Sequence, residues 1–215
     1  SAFESYQFHR VYHIIHNFCA VEMSSFYLDI QKDRLYTFSK NSIERRSTQT
    51  VLHSINSVLV RLLAPILAYT SEEVWLEMTH DDGSANSVHL ADWPVNNEKY
   101  IDNELNDKWE KIIKIRTDVA RELEGMRASK QIGNSLEASV DLYTDDTEML
   151  ELLKEYESEF PMIFIVSDVS VSEEPLDSSN KGEIFEKLFI KVKVSDSKKC
   201  DRCWNYRKEV GKIEK

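Results

Sequence analysis

The sequence predicts a mainly α chain, with a helical bundle to about residue 130, a small α/β unit after it and a truncated zinc-knuckle tail. Three observations predict it. Apolar residues recur at intervals of three and four along most of the first 130 residues, the period of helices with one buried face. The period then shortens to two in Ala138-Val140-Leu142 and Ile190-Val192-Val194, as in half-buried strands. Cys200 and Cys203, with two residues between them, have the spacing of half a tetrahedral zinc site, which needs four ligands.

The first helix is expected from Phe3 to about Leu28, with Phe8, Val11, Tyr12, Ile15, Phe18, Cys19 and Met23 on its apolar face. His9, His13 and His16 flank that face, but no carboxylate completes a ligand set, so they read as surface or interface histidines. A second helix is predicted from Ser42 to Ala64 on the stripe Val51, Leu52, Ile55, Val58, Leu59, Leu62 and Leu63, and Pro65 kinks or ends it by removing a backbone donor. Thr70-Ser71-Glu72-Glu73 fits a capping box, which predicts a third helix turning Val74, Trp75 and Met78 inward. His80 to Asn97, with Gly83 and Pro94, reads as a polar loop with one short extended piece. A long helix follows from Glu98 to Ala128, burying Trp109, Ile112, Ile113, Val119, Leu123 and Met126. In the α/β unit, Asp145-Asp146-Thr147-Glu148 is expected to cap a short helix carrying Leu150 and Leu153. Met162 to Val166, a continuous apolar run, reads as a strand. The segments divide as 1–97 for the bundle, 98–130 for a linking helix, 131–196 for the α/β subdomain and 197–215 for the metal-binding element.

Apolar content of 41% with 30% charged residues describes a globular chain, and no stretch approaches the roughly 20 apolar residues of a membrane helix. Neither a membrane span nor a cleavable signal is expected. Three cysteines make no disulfide framework and favour a reducing compartment. The net charge of -11 argues against general nucleic-acid affinity, so any such site must be local. Basic residues gather at Lys40, Arg45 and Arg46, and again at Lys198, Lys199, Arg202, Arg207, Lys208 and Lys212 around the cysteine pair.

No catalytic constellation is visible: there is no Gly-rich phosphate loop, nucleophile elbow or carboxylate pair in an apolar setting. Glu72 and Glu73 are assigned to the capping box. Redox chemistry at the cysteines lacks its usual thioredoxin-like setting at the start of a helix. Trp204, in a polar and basic tail beside Arg202, has two readings that the sequence leaves open. It stacks on an unpaired base with Arg202 supplying donors, or it packs over the metal loop. Arg45 and Arg46 fall in the first turn of the second helix, where the macrodipole already presents positive charge, so an anion should answer them. Asp29 and Asp33 are one such answer, a phosphate another.

Four ordered blocks carry a family resemblance. They are Tyr6-Gln7-Phe8-His9-Arg10-Val11-Tyr12; the run Phe26-Tyr27-Leu28-Asp29-Ile30-Gln31-Lys32-Asp33-Arg34-Leu35-Tyr36; Arg45-Arg46-Ser47-Thr48-Gln49-Thr50-Val51-Leu52; and Leu63-Ala64-Pro65-Ile66-Leu67-Ala68-Tyr69-Thr70-Ser71-Glu72-Glu73-Val74-Trp75. Together they resemble the anticodon-binding helical domain of bacterial isoleucyl-tRNA synthetases. Ile132-Gly133-Asn134-Ser135-Leu136-Glu137-Ala138 looks like the link into the C-terminal region of those enzymes, and Cys200-Asp201-Arg202-Cys203-Trp204 like the first half of their zinc element.

The resemblance implies a piece of a class I synthetase that charges tRNA with isoleucine using ATP and Mg, and that edits misacylated valine in another domain. It also implies a cytoplasmic, monomeric enzyme whose partners are isoleucine tRNA and the rest of the same synthetase chain. By similarity, Arg202 and Trp204 contact the first anticodon base, and Cys200 and Cys203 bind zinc. The piece itself is expected to be inactive, to hold zinc weakly and to have a disordered tail. Valine- and leucine-specific relatives share the general helical pattern, and the cysteine element tips the choice. A different class of answer is a helical protein-interaction module with an incidental metal-binding tail.

Overall fold

The computed structural model describes residues 2–80 and 85–212; Gly83 of the predicted loop and the last three residues of the tail element lie outside them. In chain order the helices are α1 (Phe8–Asn17), a π-helical segment (Phe18–Tyr27), α2 (Leu28–Ile30), α3 (Lys32–Tyr36), α4 (Ile43–Leu63), α5 (Ala68–Glu77), α6 (Asn103–Ala128), α7 (Thr147–Tyr156) and α8 (Phe160–Phe164). The strands are β1 (Ala138–Thr144), β2 (Asp168–Ser172), β3 (Asn180–Lys181), β4 (Leu188–Val194), β5 (Lys198–Lys199) and β6 (Tyr206–Arg207). Two compact units result, one of residues 34–102 and one of residues 1–33 with 103–215. The mainly α reading with a small α/β unit holds. Among the described residues, no helix is long and apolar enough to cross a membrane.

In the unit of residues 34–102, the Ser42 hydroxyl accepts the Arg45 N–H at 3.3 Å and starts α4, as an N-cap serine does. The helix ends one residue short of Ala64-Pro65, where proline cannot continue the ladder. None of the predicted α4 stripe is fully buried: Val51 and Val58 are exposed and Leu52, Ile55, Leu59, Leu62 and Leu63 are half-buried, while Val60 and Ala64, outside the stripe, take the buried positions. Its small core consists of Val60, Ala64, Trp75 and Val88, with Val74, Met78 and Ala91 against it.

The capping-box expectation at Thr70 is overturned, since α5 already begins at Ala68 and its N-cap, Leu67, makes no side-chain cap bond. Glu72 has a different task. Its Oε2 accepts from the Val88 N–H and the Ser87 hydroxyl, each at 2.9 Å, and so pins the following loop to α5. That loop contains a single 3-10 turn, Val88–Leu90, among its described residues.

The other unit opens with α1, which starts at Phe8 and not at Phe3. Tyr6 sits at φ 54°, a left-handed conformation that interrupts a helix. The predicted long helix also changes winding after Asn17: Phe18–Tyr27 is the wider π-helix, and the Ser25 hydroxyl donates to the carbonyl of Ala20, five residues back, at 2.7 Å.

Behind it lies one sheet, in the order β2-β1-β4-β3. β1 pairs parallel with β2 and antiparallel with β4 in the register Val140↔Val192 and Leu142↔Ile190. These are the two alternating segments read from the sequence. The parallel β1–β2 connection requires a crossover, and α7 and α8 supply it. One face of the sheet packs Val140, Leu142, Leu188 and Ile190 against Ile112, Ile115, Val119 and Leu123 of α6.

Further expectations fail around the sheet. Ile113 is 42% exposed, and Ile115 and Asp118 take the buried face instead. The buried face runs from Ile112 by three to Ile115 and from there by four to Val119 and Leu123, with Asp118 beside Val119 as an aspartate no apolar pattern would include. Met162 to Val166 is also not a strand. Pro161 stands at the start of α8, where a proline is preorganised for helix, and Ile165 stops it in the left-handed conformation at φ 57° and ψ 51°.

The cap of α7 is as read: Asp146 accepts the Met149 N–H at 3.1 Å. That bond chiefly holds the Asp146 carboxyl below its ordinary value, helped by Lys187 at 3.5 Å and opposed by desolvation. A depressed carboxylate stabilises the fold above its unfolded pKa and loses that contribution as pH falls through its folded one. Asp146→Ala is therefore expected to lower the melting temperature modestly at neutral pH, with the gap to wild type closing in acid, a pattern that thermal scans between neutral and acidic pH will test.

Candidate nucleic-acid interface

The described part of the tail is ordered, where disorder was the expectation. β5 and β6 form a hairpin in the register Lys198↔Arg207 and Lys199↔Tyr206, enclosing residues 200 to 205. The Cys200 N–H donates to the Asn205 carbonyl at 2.9 Å, and the Trp204 N–H donates to the Cys200 carbonyl at 2.9 Å. A two-residue ladder is too short to stand in water by itself. Two anchors hold it. The buried Asn205 donates from Nδ2 to Asp33 Oδ2 at 2.7 Å, and the Tyr206 N–H donates to the Ser167 hydroxyl at 2.6 Å.

Both cysteines of the loop are half-buried and reduced. The Cys200 thiol is pulled below its ordinary value, first by the Cys203 N–H, then by the Arg202 N–H and the Cys203 side chain, while desolvation and Asp201 oppose them. Backbone donors turned onto a sulfur suit a thiolate, the form in which cysteine binds metal. The donor set nevertheless remains half of one. Among the described residues no group of three or more His, Cys, Asp or Glu could hold a metal ion. Cys200 and Cys203 fit two corners of a zinc tetrahedron, and the described residues do not supply the other two.

Trp204 follows the second cysteine at φ 64° and is 59% exposed. A bulky residue in the left-handed region is a genuine outlier, costing on the order of 1–3 kcal/mol. Its ring is not packed into a core, and the Lys199 ammonium lies 5.1 Å from the ring centroid. Arg202 is exposed in the same loop. From Lys198 to Lys212 the chain carries six basic residues against Asp201 and Glu209, in a molecule of net charge -11. A positive loop with an outward aromatic is the arrangement that single-stranded nucleic acid recognises.

Arg45 and Arg46 lie in the other unit, on the first turn of α4. Arg45 reaches back with Nη1 to the Phe38 carbonyl at 3.4 Å, and Arg46 is exposed. Within the unit of residues 1–33 and 103–215, Asp29 pairs with Lys32 at 2.6 Å and Asp33 accepts from Asn205. Sequence reasoning missed Asn205, Asp33 and Ser167 as parts of the hairpin's support. Asn205 and Asp33 are 172 positions apart, and neither belongs to a periodic pattern.

A family model described as the anticodon-binding domain of tRNA ligase matches residues 1–142. Among curated proteins, the chain is 46% identical over 215 residues to an isoleucine–tRNA ligase of Desulforamulus reducens, covering 98% of this chain and 23% of that protein. It is 46% identical over 214 residues to that of Moorella thermoacetica, with the same coverage, and 41% identical over 219 residues to that of Natranaerobius thermophilus, covering 99% and 23%. The chain thus spans about a quarter of the length of these relatives.

Proposed function

The chain belongs to the anticodon-binding domain family of tRNA ligases, and on that premise we propose that it is the tRNA-docking part of an isoleucine-specific synthetase, reading the anticodon loop with the hairpin at 198–207. The observation that carries this reading is Trp204, an exposed aromatic held in a strained conformation beside Arg202 on a basic loop of an acidic molecule.

In this reading an anticodon base leaves its neighbours and stacks on the Trp204 ring, displacing the Lys199 ammonium toward the backbone phosphate. Arg202 donates to a base edge or a phosphate oxygen, as a planar guanidinium does well. Arg45 and Arg46 act on phosphate, orienting the RNA without reading its sequence. Cys200 and Cys203 hold two corners of a structural zinc that would stiffen the loop, the other two ligands lying elsewhere.

The whole protein would charge isoleucine tRNA in the cytoplasm as a monomer, using ATP and Mg; the chain described would bind tRNA and leave catalysis to other parts. The isoleucine assignment draws on the relatives' names and on the Cys-Asp-Arg-Cys-Trp element. A titration of the chain with unmodified isoleucine tRNA and an anticodon-swapped transcript, at fixed salt with zinc present, tests the proposal. Tighter binding of the isoleucine anticodon is expected, with affinity for both falling as salt rises. Equal affinity for the two transcripts would leave the domain a scaffold and defeat the anticodon reading.

A further inference from the structure

We propose that Asn205 and Asp33 form a clasp that positions the recognition loop, so that the selectivity of Trp204 and Arg202 depends on a residue pair that touches no RNA. This deepens the anticodon reading and rests on it. The loop's task exceeds its local support. Residues 200 to 205 must hold Trp204 in a left-handed conformation and keep its ring out in solvent. The hairpin's own ladder joins only Lys198 to Arg207 and Lys199 to Tyr206. Backbone strain persists only where the surroundings over-determine it.

Asn205 provides that over-determination from the position next to Trp204. It is 4% exposed in a loop whose other polar side chains face water. Its carbonyl closes the loop by accepting from Cys200, while its Nδ2 donates to the Asp33 carboxylate at 2.7 Å and approaches the Cys203 carbonyl at 3.5 Å. The backbone carbonyl and the side-chain Nδ2 of Asn205 are thus both engaged, and in that arrangement the preceding residue projects outward. Asp33, on α3, ties the loop to the helical entrance of the chain; Ser167, accepting from Tyr206, ties it to the start of β2. A loop held at both points presents Trp204 and Arg202 in one arrangement, which is what discrimination between bases needs.

Asn205→Asp is nearly isosteric but sets a carboxylate against Asp33 where a donor stood. Combining it with Asp33→Asn exchanges donor and acceptor along the same line. Three chains are compared: wild type, Asn205→Asp and the double exchange. Each is titrated with the isoleucine and anticodon-swapped transcripts, and amide hydrogen exchange is followed at residues 200 to 206. Asn205→Asp is expected to speed exchange in the loop while α6 and β1 stay protected. It should also reduce the affinity ratio between the two tRNAs by about tenfold, the order set by losing a hydrogen bond to a charged group. The double exchange should restore much of both.

Unchanged loop exchange in Asn205→Asp, or a double variant no better than the single one, would overturn the clasp. Faster loop exchange with an unaltered affinity ratio would overturn its role in selectivity. If wild type itself ignores the anticodon, the anticodon reading and the selectivity role fall together, and the exchange data still decide whether the clasp holds the loop.

Discussion

Asp118→Ala is expected to destabilise the unit that carries the hairpin by about 3–5 kcal/mol, lowering its melting temperature by about 10 °C or more. Asp118 lies on α6 at 2% exposure, on the helix face that is otherwise Ile112, Ile115, Val119 and Leu123. Its carboxylate accepts from the backbone N–H groups of Glu183, Ile184 and Phe185 at 3.0 to 3.2 Å, so three successive donors ahead of β4 converge on one anion. Gly182 completes the close approach, because a Cβ there would stand 2.5 Å from Asp118 Oδ2 and 2.7 Å from the Phe185 carbonyl.

Removing the carboxylate leaves three N–H groups without their acceptor, and each one left unsatisfied away from water costs about 1–3 kcal/mol. Asp118→Asn keeps one carbonyl oxygen but turns an NH2 toward donors, so it should fall between alanine and wild type. Urea denaturation of the three proteins gives the ordering directly. An alanine variant within about 1 kcal/mol of wild type would mean that water satisfies the 183–185 turn and that the convergence on Asp118 contributes little.

The ease of reading the helices and the opacity of Asp118 have one origin. Periodicity reports which face of an element leaves water, and it found α4, α6, β1 and β4 because apolar area decides their burial. It is silent about groups buried for their hydrogen bonds. Asp118, Asn205 and Ser167 are such groups: each is polar, each is buried, and the partners of each are remote in sequence. The run from Met162 to Val166 misled for a related reason, since a continuous apolar stretch fits a buried helix and a buried strand equally. Pro161 held the deciding signal, being compatible with the first turn of a helix and poorly suited to a central strand. At Thr70-Ser71-Glu72-Glu73 a local motif is present, but α5 begins two residues earlier, at Ala68, and Glu72 of the motif binds the Val88 loop. The proposed interface is legible in composition, as basic residues around two cysteines, and its anchoring is not.

The Trp204 backbone makes an unusual separation of stability from binding possible. Most replacements of an aromatic residue weaken the fold and the interaction together, which hides the cause of a lost affinity. Here glycine adopts the left-handed conformation at no steric cost, whereas tryptophan at φ 64° is strained by on the order of 1–3 kcal/mol. The exposed ring has little buried area to lose, and its contact with Lys199 at 5.1 Å contributes only about 0.5–1 kcal/mol at an exposed site. Trp204→Gly should therefore leave the hairpin as stable as before or slightly firmer, with slower amide exchange at residues 200 to 206. Binding should move the other way. Stacking of one base on an aromatic side chain is worth about 1–3 kcal/mol, so the affinity for isoleucine tRNA should fall by roughly 5- to 150-fold. Preference over the anticodon-swapped transcript should shrink with it, since phosphate contacts by arginines bind both RNAs alike. If the hairpin loosens as binding is lost, Trp204 acts by packing over the cysteine loop; if binding is unchanged, base stacking on this ring is excluded and recognition must be sought among the basic residues alone.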